Sequence, residues 1–360
     1  MRMRFPARLA LLLSLFAAAA SGAAPERKNV LFLIADDLNN LLGCYGDPVA
    51  RTPNLDRLAA RGVRFDRAYC AFPLCGPSRN SMLTGLYPNS TGIHQNSQIF
   101  RQTIPAQHSL PQAFRLQGWF AARIGKAYHY NVPNSIGTVG HDDPASWELS
   151  LNPAGVDRLE EHPKIFSLTP GQFGGTLSWM ADDEGEDNDH TDGVGATEAI
   201  RFLERFKRES RPFFLAVGFY RPHTPYVAPK HFFDLYPTSK ITLPPLSDDD
   251  RARTIPAAWG SSQPVQDKLT DDVRRQAIQA YHAATSFMDA QLGRVLDALV
   301  TIALQPNDLG EVFHVDLVQD PVARRHHAHA VEGLLRPADE RIALTVQREF
   351  GAQVPLQRIP

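Results

Sequence analysis

Residues 212–220 read PFFLAVGFY, an apolar run with no charge and no alternation of apolar and polar side chains. A half-exposed strand alternates. A strand apolar throughout must be covered on both faces, as happens inside a parallel sheet flanked by helices. Residues 29–35 (NVLFLIA) form a second such run, ending on Asp36-Asp37. Strands are also expected at 63–69 and at 119–124, the latter leading into Gly125-Lys126. Between them the period changes. Thr52-Pro53-Asn54 opens a helix with Leu55, Leu58 and Ala59 on one face, and helices are expected at 77–86, 110–117 and 197–209. A long one lies within 271–300, its stripe running through Ala277, Tyr281, Ala284, Phe287, Met288, Leu292, Val295 and Leu296. Strands alternating with helices make the class α/β. Residues 131–175, rich in Pro, Gly and Asn, read as irregular, and 181–192 as an acidic loop. A chain of 360 residues has room for one large domain or two smaller ones, and its formal net charge of −2 gives no electrostatic reason for a nucleic-acid partner.

The N-terminus has its own order. Arg2, Arg4 and Arg8 precede an apolar run over 9–20, and small residues follow at 21–24. That order predicts a secretory signal peptide over residues 1–24, cleaved near Ala23 or Ala24. The run is shorter than the ~20 residues a spanning helix needs. The expected location is therefore periplasmic or secreted, with no membrane contact after cleavage. The three cysteines, Cys44, Cys70 and Cys75, cannot all pair with one another. A thiol left over in an oxidising compartment calls for a chemical reason.

Four short motifs carry chemistry. Cys75-Gly76-Pro77-Ser78-Arg79, followed by Leu83-Thr84-Gly85, places a nucleophile at a helix start with proline in the first turn. Such a terminus attracts anions, and Arg79 is placed to orient a charged oxygen. Asp36-Asp37 stands at the carboxyl end of a strand, where open α/β sheets collect ligands. Two carboxylates there suit Ca²⁺ or Mg²⁺, although such a pair also serves in helix caps and solvated turns. Gly125-Lys126-Ala127-Tyr128-His129 and Arg221-Pro222-His223-Thr224-Pro225 each follow an expected strand. Asp189-His190 reads as solvated loop. His326, His327 and His329 lack a framing ligand pattern and read as a chance cluster.

Taken in this order, residues 29–300 resemble the formylglycine-dependent sulfatases of the alkaline-phosphatase-like superfamily. The shared signature is Cys-x-Pro-x-Arg followed by Leu-Thr-Gly. Leu42-Gly43-Cys44-Tyr45-Gly46-Asp47, Pro222-His223 after the 212–218 run, and the stretch 288–294 (MDAQLGR) are similar to the iduronate-2-sulfatase branch. The resemblance implies a three-layer α/β/α sandwich around a central, mostly parallel sheet, with a catalytic domain over residues 25–300. It implies that a maturation enzyme oxidises Cys75 to formylglycine, whose hydrate has one hydroxyl to attack sulfur and another to expel sulfate. Asp36, Asp37 and the modified Cys75 would hold Ca²⁺ or Mg²⁺, with Arg79 orienting the modified side chain. Lys126 would neutralise a sulfate oxygen, and His129 would serve as base in regenerating the aldehyde. His223 would protonate the leaving alcohol. The implied substrate is a sulfated sugar such as a 2-sulfated uronate in a glycosaminoglycan-like chain. Phosphonate and phosphate monoester hydrolases share the scaffold. A non-catalytic glycan binder would need only Arg79, Lys126 and His223.

The family pattern next requires a strand ending in Ser-Asp-His-Gly or Ser-Asp-Asn-Gly, then a lysine. Residues 301–311 read TIALQPNDLGE, and 301–360 contain no lysine. A shifted reading frame or early end, or else a divergent closure, predicts a divergent tail over 301–360 without the family's C-terminal subdomain. Asp308 is then the one remaining candidate for the lost metal ligand. A missing central strand would expose a sheet edge. Asp36, Asp37 and Cys75 would supply about half of the 6–8 oxygens calcium takes, leaving a weak or inactive enzyme.

Overall fold

The computed structural model describes residues 27–160, 162–209, 211–245, 250–256, 263–301, 309–317 and 342–348. Its strands are β1 (Asn29–Asp36), β2 (Gly62–Arg64), β3 (Ala68–Tyr69), β4 (Phe120–Gly125), β5 (Leu149–Leu151), β6 (Phe166–Ser167), β7 (Ser178–Asp182), β8 (Phe213–Phe219), β9 (Tyr226–Pro229), β10 (Leu309–Leu317) and β11 (Ile342–Arg348). An eight-stranded sheet runs β2-β11-β10-β1-β8-β4-β5, with β3 also beside β11. Every pairing given for that sheet is parallel. A small sheet, β6-β7-β9, lies apart.

The two apolar runs of the sequence become the neighbours β1 and β8. Their alternate side chains feed different cores, as the twofold period of a strand demands. Leu31, Leu33, Ala35, Phe213, Leu215, Val217 and Phe219 pack with Leu55, Leu203, Met288 and Leu292 from helices Pro53–Arg61, Thr191–Glu209 and Asp271–Thr301. Phe32, Ile34, Phe214 and Ala216 face the other way, toward Leu83, Phe100, Tyr128 and Trp147. Each leucine, isoleucine, valine, phenylalanine or methionine among them stabilises the fold by roughly 1.5–3 kcal/mol on full burial. The result is the expected sandwich with the sheet between two apolar layers.

Several local expectations shift. The 63–69 strand divides into β2 and β3. The irregular stretch contains β5 and a helical turn, Val156–Leu159. The acidic loop yields β7 before it, and the following helix begins at Thr191 rather than Thr197.

One expectation is overturned. The sheet does not lack its central strand: β10 pairs with β1 from Asn29↔Leu309 to Asp36↔Asp316, and β11 pairs with β10. The expectation rested on a missing motif, but parallel pairing needs only a backbone of β-forming residues, and Val312, Phe313 and Val315 supply it. The register sets Asp316 opposite Asp36 at the carboxyl end of the sheet. The segment 1–24, Asp308, His326, His327 and His329 lie outside the described residues. Among the described residues no helix is long and apolar enough to cross a membrane.

Candidate active site

Four carboxyl-end segments of the sheet and its helices converge. Asp36 ends β1 with its side chain fully buried. Asp37 turns away from the strand at φ 59°, in the left-handed region that aspartate tolerates better than most residues. The turn is held from the long helix. The Tyr281 hydroxyl donates to the Asp37 carbonyl at 3.0 Å and accepts from the Asn39 N–H at 2.8 Å.

Cys75 opens the helix Cys75–Thr84, buried, with its Sγ 3.9 Å from Asp37 Oδ1. The helix start is braced by Gly76 N–H donating to Asn96 Oδ1 at 2.7 Å. One turn in, Arg79 lies under the site. Its guanidinium donates to the Lys126 carbonyl at 2.8 Å, the Ala127 carbonyl at 3.1 Å and Asp36 Oδ1 at 2.7 Å.

Lys126 is delivered by a close approach of β4 and β8. Gly125 sits at φ 73°, and a Cβ there would fall 2.1 Å from the Gly218 carbonyl oxygen. A Cβ on Gly218 would fall 2.0 Å from the Lys126 carbonyl oxygen. With neither side chain present, Lys126 N–H donates to the Gly218 carbonyl at 2.9 Å and its ammonium reaches Asp36 Oδ2. His223 follows β8 on a turn whose backbone is pinned by Asp192, which accepts from Tyr220 N–H at 2.8 Å and Arg221 N–H at 2.9 Å. The Arg221 side chain is anchored on Asp157 at 2.6 Å and on the Pro225 carbonyl at 2.8 Å.

Ligand atoms of Asp36, Asp37, Cys75 and His223 all lie within 4.8 Å of one another. Above them opens a cavity of about 710 Å³, whose lining includes Asp37, Cys75, His129, His141, His223 and Tyr281. Arg79 and Lys126 sit below it on Asp36 instead of among its lining.

The electrostatics follow from this stacking. Burial alone would raise the Asp36 carboxyl, but Lys126 and Arg79 outweigh it and hold the group well below the usual carboxylate range. Burial, aided by Lys126, pushes His223 down to about 4 against the pull of Asp36. Burial and then Lys126 push His129 down to about 3. Both imidazoles are therefore neutral near pH 7, and a bound anion would raise both. The Nδ1 of His223 lies 2.6 Å from the Thr224 carbonyl, which can only accept. Nδ1 thus carries the hydrogen, and Nε2, 3.5 Å from Asp37 Oδ2, is the atom that gains or gives a proton.

The sulfatase family model matches residues 28–307. This chain belongs to the sulfatase family. It is 33% identical over 312 residues to mouse (Mus musculus) iduronate 2-sulfatase, an alignment covering 82% of this chain and 56% of the mouse protein. A sulfatase from Formosa agariphila is 37% identical over 296 residues, covering 76% of this chain and 55% of its own length. The chain thus spans about half the length of these curated relatives. In fold it is similar to the phosphonate monoester hydrolase of Agrobacterium radiobacter, with TM-score 0.59, 21% identity, and coverage of 80% of this chain and 62% of that one.

The motif residues Asp36, Asp37, Cys75, Arg79, Lys126, His129 and His223 of this chain meet at one place, and the structure adds others. Tyr281 was read only as part of an apolar stripe, yet a buried tyrosine hydroxyl needs a partner, and that need is the signal for it. Asn96 and His141 come from segments without periodicity and carry no such signal. One reading is corrected. His190 is not solvated: it is fully buried, with Nε2 2.9 Å from Asp182 Oδ2 and its ring 5.5 Å from that of Phe287. It directly precedes the Thr191–Glu209 helix, whose inner face is core, while Asn188 and Asp189 just before it are exposed.

The donor set fits a divalent cation. Asp36 and Asp37 offer hard oxygens at one point, beside Cys75. Tyr281→Phe deletes both hydrogen bonds to the Asp37 turn while keeping the ring. We expect Ca²⁺ or Mg²⁺ affinity, measured by calorimetry, to fall roughly tenfold, as for other groups that orient a metal ligand. Unchanged affinity would mean that Asp37 needs no such support.

Proposed function

We propose that this chain carries the catalytic centre of a sulfuric ester hydrolase acting on a sulfated carbohydrate, with Cys75 matured to formylglycine. The observation that carries this reading is the meeting of Cys75, Asp36, Asp37 and His223 at the floor of a cavity large enough for a sugar. The maturation would come from a formylglycine-generating enzyme of the host, after or during export through the segment 1–24.

Each residue has a task in this reading. The hydrated aldehyde on Cys75 supplies an oxygen nucleophile that a thiol does not. Asp36 and Asp37, with the modified Cys75, would hold Ca²⁺ or Mg²⁺, which polarises sulfate oxygens when bound. Arg79 and Lys126 place two cationic groups on Asp36 under the floor, where they attract an anion above it. The amino end of the Cys75–Thr84 helix adds to that potential. His223 Nε2 takes up a proton as the anionic ester raises its affinity for one, and passes it to the leaving alcohol. His129, neutral and in the lining, is placed to accept a proton from Cys75-derived hydroxyl groups.

The test compares turnover of an aryl sulfate, an aryl phosphate and a 2-sulfated uronate disaccharide by protein produced with a maturation enzyme. Sulfate release, fastest on the sulfates, supports the reading. Preference for the aryl phosphate would make the chain a phosphate or phosphonate monoester hydrolase. Glycan binding without turnover, indifferent to Cys75→Ser, would make it a binding protein.

A further inference from the structure

His141 has no part in the chemistry above, yet it lines the same cavity. Its Nδ1 is buried and has no hydrogen-bond partner among the described residues. A buried imidazole nitrogen without a partner is costly unless a ligand or water meets it. Its ring lies 5.6 Å from that of His129, inclined at 59°, and the His141 backbone N–H donates to the His129 carbonyl at 3.0 Å.

The segment bearing His141 is braced far beyond what a surface loop needs. Gly140 stands at φ 56°, and a Cβ there would meet the Tyr130 ring at 2.8 Å. Asp142, on the other side, accepts from Arg123 Nε at 2.8 Å and from Trp147 Nε1 at 2.9 Å. Asp143 accepts from Arg101 at 2.7 Å and from the Ser146 hydroxyl at 2.6 Å. Both carboxylates that follow His141 are therefore committed, while its imidazole keeps a nitrogen with no partner among the described residues. Rigid placement of one uncommitted polar group is how a site fixes the orientation of a ligand.

We propose that His141 is a substrate-positioning residue, its imidazole turning to hydrogen-bond a hydroxyl or ring oxygen of the sugar that carries the sulfate ester. The inference rests on the reading that this cavity receives a sulfated sugar. The imidazole binds the leaving-group side, so it selects for sugars over small aryl esters without altering the attack on sulfur.

Two measurements separate this from a structural role. The first is calorimetric binding of a 2-sulfated uronate disaccharide, and of inorganic sulfate, to Cys75→Ala protein with and without His141→Ala. The second is the kcat of otherwise unaltered, matured protein and its His141→Ala variant on 4-nitrophenyl sulfate. We expect disaccharide affinity to fall about tenfold, the size of one good hydrogen bond, with partial recovery in His141→Gln. Sulfate affinity and aryl-sulfate kcat should stay within about threefold. Equal disaccharide affinity with and without His141, or no disaccharide binding at all, would overturn the proposal. So would parallel loss of both ligands, or a tenfold fall in aryl-sulfate kcat with affinity kept, which would place His141 behind His129 instead. If the protein turns over no sulfate ester yet disaccharide binding still depends on His141, the hydrolase reading fails and this one stands.

Discussion

Cys75→Ala is expected to lower sulfate-ester turnover by at least about 10⁴-fold, the scale of removing a covalent nucleophile whose partners act with it as a unit. The protein should remain folded. Cys75 is buried at the first turn of its helix, but its side chain is small, and the helix start is fixed by Gly76 and Asn96 through a backbone donor that the substitution does not touch. A thermal melt beside the kinetics separates the two effects. Residual activity within tenfold of the parent at unchanged melting temperature would mean that some other group attacks the substrate.

Asp36→Asn is expected to have the largest effect on stability. The change removes the carboxylate that a buried guanidinium and a buried ammonium, Arg79 and Lys126, both face. Breaking a buried ion pair by removing one partner costs about 3–5 kcal/mol, which for a domain of this size lowers the melting temperature by on the order of 10 °C.

The sign of the pH dependence follows from the same group. A carboxyl held below its ordinary value binds fewer protons folded than unfolded, so its stabilisation is full above about pH 4 and is lost as pH falls further. His223 and His129, lowered to about 4 and about 3, act in the same direction over a higher window. As pH falls below about 6.5 the unfolded chain takes up protons that these buried rings refuse. Asp192 and Asp289, which burial raises to about 6, take up protons in the folded state over that window and offset the two rings. Chemical denaturation should therefore show its clearest loss of stability below about pH 4, a loss that the Asp36→Asn variant lacks; parent and variant losing stability in parallel there would contradict this assignment of charges.

The parts of the fold legible in the sequence were those whose pattern is set by burial alone. The runs that became β1 and β8 lack polar residues because both faces are covered, and the long helix showed its stripe because it packs along its whole length. The motif residues were legible for a different reason. Glycine at 125 and proline at 77 mark backbone constraints that few other arrangements need. What escaped was set by tertiary context. β10 carries no trace of the family motif in its sequence, while its pairing with β1 depends on the backbone. His190 was hidden by the charged residues before it, although the helix that follows draws it into the core. His141 and Asn96 sit on irregular segments, where sequence period carries no information about what a side chain meets.

The central claim is that Cys75 becomes an aldehyde. The most direct measurement is the mass of the peptide containing Cys75, from protein exported by a host that matures other sulfatases, with a hydrazide to trap the product. A peptide lighter than its cysteine form that also reacts with hydrazide is the expected result. A peptide carrying only unmodified cysteine, in the same host, would contradict it and leave this site without its nucleophile.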